Sequence, residues 1–400
     1  MVIEIPKIAC VLVHGRSHET AAAFAHRHFS EDEILDMTRS TGEALLETLG
    51  SRVIDGRMTA IIEAGSPAGA HKLRVALASV ARENYARRFG IVLPDAHHGE
   101  PNIDARLKAD GYREVFDVPE AALESVEIRR MPMPTDMRHE QGPFDIIGDV
   151  HGCAEELEAL LERLGYQVHW TDDSAWGRRP RVIAPPGRRA IFVGDLVDRG
   201  PRSRDVLAIV HSMVEQDGNA LLVPGNHDVK FLRWLYGDKV SITHGLEATV
   251  KSLDGASDVF RADIRAMLKR LWSHLWLDGG RLAVAHAGIR EPMLGRATPR
   301  VRHFCLYGDT SGARDGSGLP IRYHWALDYA GGTSIVYGHT PVPEPAWVNN
   351  TLCVDTGCCF GGRLTALRWP EREVVSVPAR AAYARLLRPF GHPPARPPAS

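Results

Sequence analysis

Excess charge is nearly absent from the chain: 48 Lys and Arg residues face 50 Asp and Glu, a formal net charge of -2. That balance removes any global pull toward nucleic acid or an anionic membrane, so a polyanion site has to be local. Cysteine is scarce. The six residues Cys10, Cys153, Cys305, Cys353, Cys358 and Cys359 include no CxxC spacing, and free thiols in a reducing cytoplasm are expected. The opening MVIEIPKIACVLV lacks a basic segment running into a long apolar stretch and a small-residue cleavage site. No apolar run approaches the ~18 residues of a membrane span, and no internal repeat is visible. A cytoplasmic protein without a membrane partner is expected. What is present is ordinary globular material, 44% hydrophobic and 24% charged over 400 residues. It is enough for about two or three domains, each with its own core.

The apolar run 8–13 (IACVLV) reads as a buried strand, followed by an Ala-rich helix over 19–28. Further strands are expected at 59–64, 90–94 and 113–118, with helices near 41–49 and 70–88. Strands alternating with helices predict a parallel α/β sheet over residues 1–128. Residues 129–143 (RRMPMPTDMRHEQGP) are polar and aperiodic and read as a linker. A second α/β series follows over 144–385: FDIIGDV, a helix from about 153 to 164, RRAIFVGD, a helix from about 203 to 216, and NALLVPGN. Longer helical patterns fill 229–279, and RLAVAHAG, TSIVYGHT, TLCVDTG and RLTALRW supply further strands. The Pro-rich stretch 386–400 is expected to be disordered.

Five short motifs place a metal-competent side chain directly after an apolar strand: GDVHG at 148–152, GDLVDRG at 194–200, GNHD at 225–228, HAG at 286–288 and GHTP at 338–341. The candidate ligands are Asp149, His151, Asp195, Asn226, His286 and His339. Their carboxylate, imidazole and amide donors suit divalent manganese, iron, zinc or nickel. Strand ends of an open α/β sheet converge on the crevice outside its carboxyl edge, and the flanking glycines allow close backbone approach there. Singly, each motif is a loop with a satisfied histidine or an Asx turn. Five in order, all at strand ends, are a metal site. Cys353, Cys358 and Cys359 lie near it in sequence and read as small core residues, because the ligand set is complete without them.

This pattern resembles the calcineurin-like metallophosphoesterases, in their phosphoprotein-phosphatase branch, over about residues 144–378. Within that branch THGLEATVKSL (243–253), LYGDTSG (306–312), VYGHTPVPEPAWVNNT (336–351) and DTGCCFGGRLTALRWPE (355–371) are similar to the phosphatase domain of bacterial polynucleotide kinase-phosphatases. Bacterial diadenosine-tetraphosphatase-like proteins share the first three motifs. The resemblance implies an αββα sandwich and two divalent metal ions, manganese first. One is held by Asp149, His151 and Asp195, the other by Asp195, Asn226, His286 and His339. Together they activate a hydroxide for in-line attack on phosphorus. It further implies that Arg199 grips phosphate oxygens, that His227 is the general acid and Asp198 its orienting partner, and that Asp355 acts near the site. Read by itself, Asp198–Arg199 is an ion pair closing a turn, and Asp355 a turn residue before Gly357.

In the kinase-phosphatases a P-loop kinase precedes this domain. Here HGRSHETAA stands where GxxxxGK[ST] should be, with one glycine, no lysine and no correctly placed Ser or Thr. Glu63–Ala64 replaces the magnesium-carrying Asp, and the Arg-rich lid is short. A degenerate kinase-like domain is expected, with Glu63 or Arg87–Arg88 as a vestigial nucleotide contact or an exposed helix end. The ligase domain of the full enzymes is not expected after Ser400.

The leading functional expectation is a phosphomonoesterase on nucleotide or nucleic-acid ends carrying a 2′-, 3′- or 2′,3′-cyclic phosphate. The alternatives are a phosphoprotein Ser/Thr phosphatase and a dinucleoside polyphosphate hydrolase. All three use one metal site. The cluster Arg178, Arg179, Arg181, Arg188 and Arg189 reads either as a phosphate-rich entrance or as a solvated loop. A different class, a non-catalytic interaction module, fits residues 1–128 better than the whole chain.

Overall fold

The computed structural model describes residues 1–65, 70–98, 102–316, 320–386 and 389–397. Two compact units emerge, one of Met1–Pro134 with Gly295–Arg300, the other of Thr135–Leu294 with Val301–Ser400. Among the described residues no helix is long and apolar enough to cross a membrane.

In the first unit β1 (Val2–Pro6) leads to β2 (Ala9–Gly15), α1 (His18–His28), β3 (Ile34–Asp36), α2 (Gly42–Ile54) and β4 (Thr59–Ala64). Then come α3 (Ala70–Glu83), β5 (Arg87–Val92), α4 (Ile103–Asp110), β6 (Glu114–Asp117) and β7 (Glu127–Met131). The five central strands run parallel in the order β3-β4-β2-β5-β6. All of β2 is buried, because helices cover both faces of such a sheet and an unbroken apolar run is what that position requires. One face packs Val11, Val13, Phe24 and Ile62, the other Leu12, Leu45, Ile61 and Leu77. Three expectations change here. Helix α3 stops at Glu83 rather than 88, since Tyr85 takes a left-handed φ of 60° and Arg87 already opens β5. The supposed linker begins as β7, which pairs in parallel with β1. Its later part is tied into the second unit, where the Trp276 N–H donates to Thr135 O and the Met137 N–H to Trp276 O, both at 2.9 Å.

The second unit opens with β8 (Phe144–Ile147), α5 (Ala154–Leu164), the hairpin β9 (Gln167–Asp173) and β10 (Gly177–Ile183), and β11 (Arg189–Phe192). It continues through α6 (Ser203–His211), β12 (Ala220–Leu222), α7 (Asn226–Leu235), α8 (Leu246–Ser252) and α9 (Asp258–Lys269) to β13 (His274–Leu277) and β14 (Leu282–Ala285). Strands β15 (Asp309–Arg314), β16 (Pro320–Tyr323), β17 (Ser334–Tyr337), β18 (Trp347–Val348), β19 (Thr351–Cys353), β20 (Asp355–Thr356), β21 (Arg363–Trp369) and β22 (Glu373–Pro378) complete it. One sheet runs β12-β11-β8-β21-β20 with β22 on β21, the other β13-β14-β17-β19-β18. Ile146, Ile191 and Leu367 of the first sheet meet Leu275, Val284, Val336 and Leu352 of the second in one apolar layer. Leu157, Leu160, Val206, Ile264 and Met267 cover the outer face of the first sheet. This is the expected α/β class, with a parallel N-terminal sheet and a helix-flanked two-sheet sandwich.

The stretch after 386 departs from the disorder expected of it where it is described. The His324 N–H donates to Pro394 O at 2.8 Å and Arg396 Nε to Asp309 Oδ2 at 3.1 Å. Residues 387–388 and 398–400 lie outside the described residues.

Candidate metal centre and active site

Five strand ends deliver the motif side chains. Asp149 and His151 follow β8, Asp195 follows β11, Asn226 opens α7 after β12, His286 follows β14 and His339 follows β17. The turns are tight enough to force non-glycine residues into the left-handed region, with φ of 46° at His151, 49° at Asp195, 75° at Asp198, 72° at Arg199 and 74° at His339. Each such residue stores roughly 1–3 kcal/mol of strain, tolerated where the surroundings over-determine the backbone. Four motif glycines, Gly148, Gly200, Gly225 and Gly338, are required by contact alone. A Cβ on Gly225 would collide with the Asp195 carboxylate, and one on Gly338 with that of Asp149.

The donor atoms converge. His151, Asp195 and His227 offer ligand atoms within 4.8 Å of one another, and so do Asp195, His286 and His339, with Asp195 common to both sets. Asp195 Oδ2 lies 3.4 Å from His151 Nε2 and 3.5 Å from His286 Nε2. Tautomers follow from the partners. His151 Nδ1 sits 2.8 Å from Val197 O and His286 Nδ1 3.0 Å from Val193 O. A carbonyl only accepts, so both rings donate from Nδ1 and present an Nε2 lone pair to the cluster. His286 Nε2 then faces Asn226 Oδ1 at 3.1 Å and His339 Nδ1 at 2.9 Å, while His339 Nε2 is buried without a partner. Asp149 receives the His339 N–H at 3.1 Å. Acceptors facing acceptors in a buried site fit divalent cations, which the donor set of carboxylate, imidazole and amide oxygen would bind.

Electrostatics point the same way. Burial, reinforced by the charges of Asp355 and Asp195, drives the Asp149 carboxyl far above its usual range. Burial lifts Asp195 to about 7, against the opposing pull of Arg199. Asp355 is raised to about 6 by burial, and its carboxylate accepts the Gly357 N–H at 2.9 Å. Asp355 therefore closes a turn and also repels Asp149. Burial, with the Arg199 charge, pushes the His151 and His227 rings well below their usual range. His286 falls to about 3, chiefly by burial. The rings are held neutral with lone pairs free for a cation, and the carboxylates repel one another, which cations would relieve.

A second constellation borders the cluster. His227 Nδ1 lies 2.6 Å from Asp198 Oδ2, so the imidazole is oriented by a carboxylate. Burial raises Asp198 to about 6 although Thr249 donates to it. The Arg199 guanidinium reaches both rings: Nη1 contacts His151 Nε2, and Nη2 lies 3.0 Å from His227 Nε2.

Sequence reasoning missed three residues here. Asp228 stitches two loops together by accepting the Leu196 and Gly225 N–H groups, both at 2.9 Å; its place in GNHD was the available signal. Thr249 braces Asp198 from α8, inside a quoted family stretch but without a local signature. Arg322, on β16, places its charge near Asp195, His286 and His339, and nothing in the sequence marks it. Four of the five clustered arginines have partners of their own. Arg178 stacks on Trp170 at 3.9 Å and Arg179 on Trp176 at 4.1 Å, while Arg188 pairs with Asp145 and Arg189 with Glu140 at 2.9 and 2.6 Å. Glu63 is likewise consumed, buried between His14 (2.7 Å) and Arg74 (3.0 Å). Arg88 donates to Gly111 O at 2.8 Å and Arg87 pairs with Glu114.

Comparison with known proteins agrees with this geometry. Residues 142–355 match the calcineurin-like phosphoesterase family. A bis(5′-nucleosyl)-tetraphosphatase PrpE [asymmetrical] of Anoxybacillus flavithermus is 47% identical over 252 residues, 62% of this chain and 99% of the relative. A protein of the same name from Halalkalibacterium halodurans is 46% identical, over 59% of this chain and 94% of its own length. The chain belongs to the calcineurin-like phosphoesterases and is a hydrolase of that family, which implies divalent metal ions.

Proposed function

We propose that this calcineurin-like phosphoesterase hydrolyses dinucleoside tetraphosphates asymmetrically, to a nucleoside triphosphate and a nucleoside monophosphate. The observation that carries this reading is the 47% identity to a tetraphosphatase matched over 99% of its length. It sets aside the preference for phosphorylated nucleic-acid ends; four of the five cluster arginines already have Trp, Asp or Glu partners.

Asp149, His151 and Asp195 would hold one divalent cation and Asp195, Asn226, His286 and His339 a second. When bound, the cations supply Lewis-acid activation of water and charge neutralisation at phosphorus. The chain's own groups do the rest. Arg199 Nη1 would be released from the His151 ring once a cation sits on His151 Nε2, and the planar guanidinium fork would then match two non-bridging phosphate oxygens. Arg322 adds a second positive charge near the same carboxylates, useful for a polyphosphate. Asp198 keeps the His227 Nδ1 proton in place, and Nε2 faces the Arg199 guanidinium at 3.0 Å. Burial and the Arg199 charge hold that ring neutral in the free protein. An anionic phosphate chain on Arg199 would offset both and let Nε2 carry a proton to the leaving oxygen.

The test is product analysis after incubation with diadenosine tetraphosphate and manganese, beside a 3′-nucleotide and a phosphopeptide. Equal ATP and AMP are expected. Hydrolysis of the 3′-nucleotide alone would restore the nucleic-acid-end reading, and ADP alone would contradict asymmetric cleavage.

For residues 1–134 we infer an interaction module on a kinase-like scaffold rather than a phosphoryl-transfer domain. The parallel order β3-β4-β2-β5-β6 supports the scaffold. Only Arg16 and Ser17 join β2 to α1, too little chain for a phosphate-cradling loop. Transfer of the γ-phosphate of ATP to a 5′-hydroxyl oligonucleotide would overturn it.

A further inference from the structure

Behind the metal-binding loops lies a second cluster that the hydrolytic chemistry does not use. Cys153, at the start of α5, Glu156, one turn further on, and Cys358, after β20, offer Sγ, carboxylate oxygen and Sγ atoms within 4.8 Å of one another. All three are buried, at 0%, 1% and 1% exposure. Two of the groups are thiols, which bind soft metals as thiolates and hard ones poorly.

The carboxylate is the telling member. Glu156 Oε1 accepts the Arg380 N–H and the Tyr383 hydroxyl, both at 2.9 Å, so the side chain is fixed. Its Oε2 is buried with no hydrogen-bond partner. The nearby guanidinium groups serve its exposed neighbour instead, since Glu155 takes Arg380 at 3.0 Å and Arg202 at 3.6 Å. Among the described residues no cation pairs with Glu156. A buried, half-satisfied carboxylate beside two thiols is costly unless something positive completes it.

We propose that Cys153, Glu156 and Cys358 form a binding site for one thiophilic divalent cation of the zinc or cadmium class, separate from the hydrolytic centre. Zinc–sulfur bonds of ~2.3 Å in tetrahedral geometry set two thiolates about 3.8 Å apart. Donors already within 4.8 Å therefore need to close by about 1 Å or less. Binding forms two metal–sulfur bonds and one metal–oxygen bond, and the two thiol protons pass to buffer. The site joins two loops of the hydrolytic centre. Cys153 Sγ lies 3.6 Å from His151 O, and Cys358 follows Asp355 by three residues. A cation here would brace both without touching substrate. Cys359 is a natural control, since its Sγ is 3.9 Å from Arg199 Nη1 and it stands outside the donor set.

The experiment titrates the reduced, chelator-treated full chain with cadmium and follows the ultraviolet sulfur-to-cadmium charge-transfer band. The six proposed hydrolytic ligands contain no sulfur, so the band reports thiols, and the cysteine variants assign it among the six free cysteines. The expected result is a band saturating at two thiolates per chain, lost in Cys153→Ser and Cys358→Ser and kept in Cys359→Ser. Glu156→Gln should keep the band but raise the half-saturating cadmium concentration at least ~10-fold. If Ser disrupts folding at the fully buried positions, Cys153→Ala and Cys358→Ala, checked by near-ultraviolet circular dichroism, take its place. No band in the wild-type chain, or an undiminished band in the Cys358 variants, overturns the proposal.

Discussion

Thr249 Oγ1 donates to Asp198 Oδ1 at 2.8 Å, and the Asp198 backbone N–H donates to the same hydroxyl at 2.8 Å. The exchange leaves the other carboxylate oxygen for His227. It makes α8 the support of the Asp198–His227 pair rather than a neighbouring helix. Thr249→Val should therefore lower kcat about tenfold, the worth of one hydrogen bond to a charged group, with KM little changed. Thr249→Ser should recover most of the loss. An equal fall in thermal stability and in kcat for both variants would point to a merely structural threonine.

The role of His227 depends on the leaving group. A phosphate oxygen ionises near ~6 and leaves without much help, whereas an alkoxide needs a proton. His227→Ala should cost roughly 10²–10⁴ in kcat on an alkyl phosphomonoester and distinctly less on diadenosine tetraphosphate. Parallel kinetics on the two substrates check this; equal losses would remove His227 from the acid role.

Cation uptake should release protons in a pH window set by the carboxylates. With Asp195 near 7 and Asp355 near 6 in the cation-free protein, acidification protonates a proposed ligand and its neighbour, and a cation must displace those protons. His286, lowered to about 3, does not compete there. Manganese affinity should fall about tenfold per pH unit per displaced proton below about pH 7. Calorimetric titration in two buffers of different ionisation enthalpy should find more proton release near pH 6.5 than near pH 8.5, where Asp195 and Asp355 are already ionised; equal release at the two would contradict this.

His274 gives a stability prediction away from the cluster. Burial alone lowers this fully buried ring from 6.5 to about 3. The unfolded chain then binds the proton first, so stability is lost as pH falls below about 6.5. Between pH 7 and 5 the loss from this group is ~2 kcal/mol. Denaturant unfolding of His274→Gln at the two pH values should show a difference smaller by about that amount; an unchanged difference would contradict the assignment.

Much of the site was legible because open sheets end their strands at one edge, and apolar-strand-then-Gly-Asp is a local pattern. GDVHG, GDLVDRG, GNHD, HAG and GHTP all lie where that pattern puts them. Thr249 and Arg322 were not legible, since each arrives by tertiary approach from α8 or β16 with no signature of its own. The arginines at 178–189 stayed ambiguous for a related reason: charge in a sequence says nothing of the Trp, Asp and Glu side chains that four of them meet. The β9–β10 hairpin that carries Arg178, Arg179 and Arg181 went unread, as did the β1–β7 pair inside the supposed linker. Polar edge strands carry weak periodicity and depend on partners far along the chain.

Asp195 is the carboxylate common to both donor sets and, as proposed, the one shared by two cations. Manganese bound per chain, counted by elemental analysis after equilibrium dialysis of the wild-type and Asp195→Asn proteins, tests this most directly. Manganese avoids thiolates, so the cysteine cluster does not enter the count. Two ions are expected in the wild type and fewer than one in Asp195→Asn, with the fold retained by circular dichroism. Equal manganese in the two proteins, or none in the wild type, would contradict it.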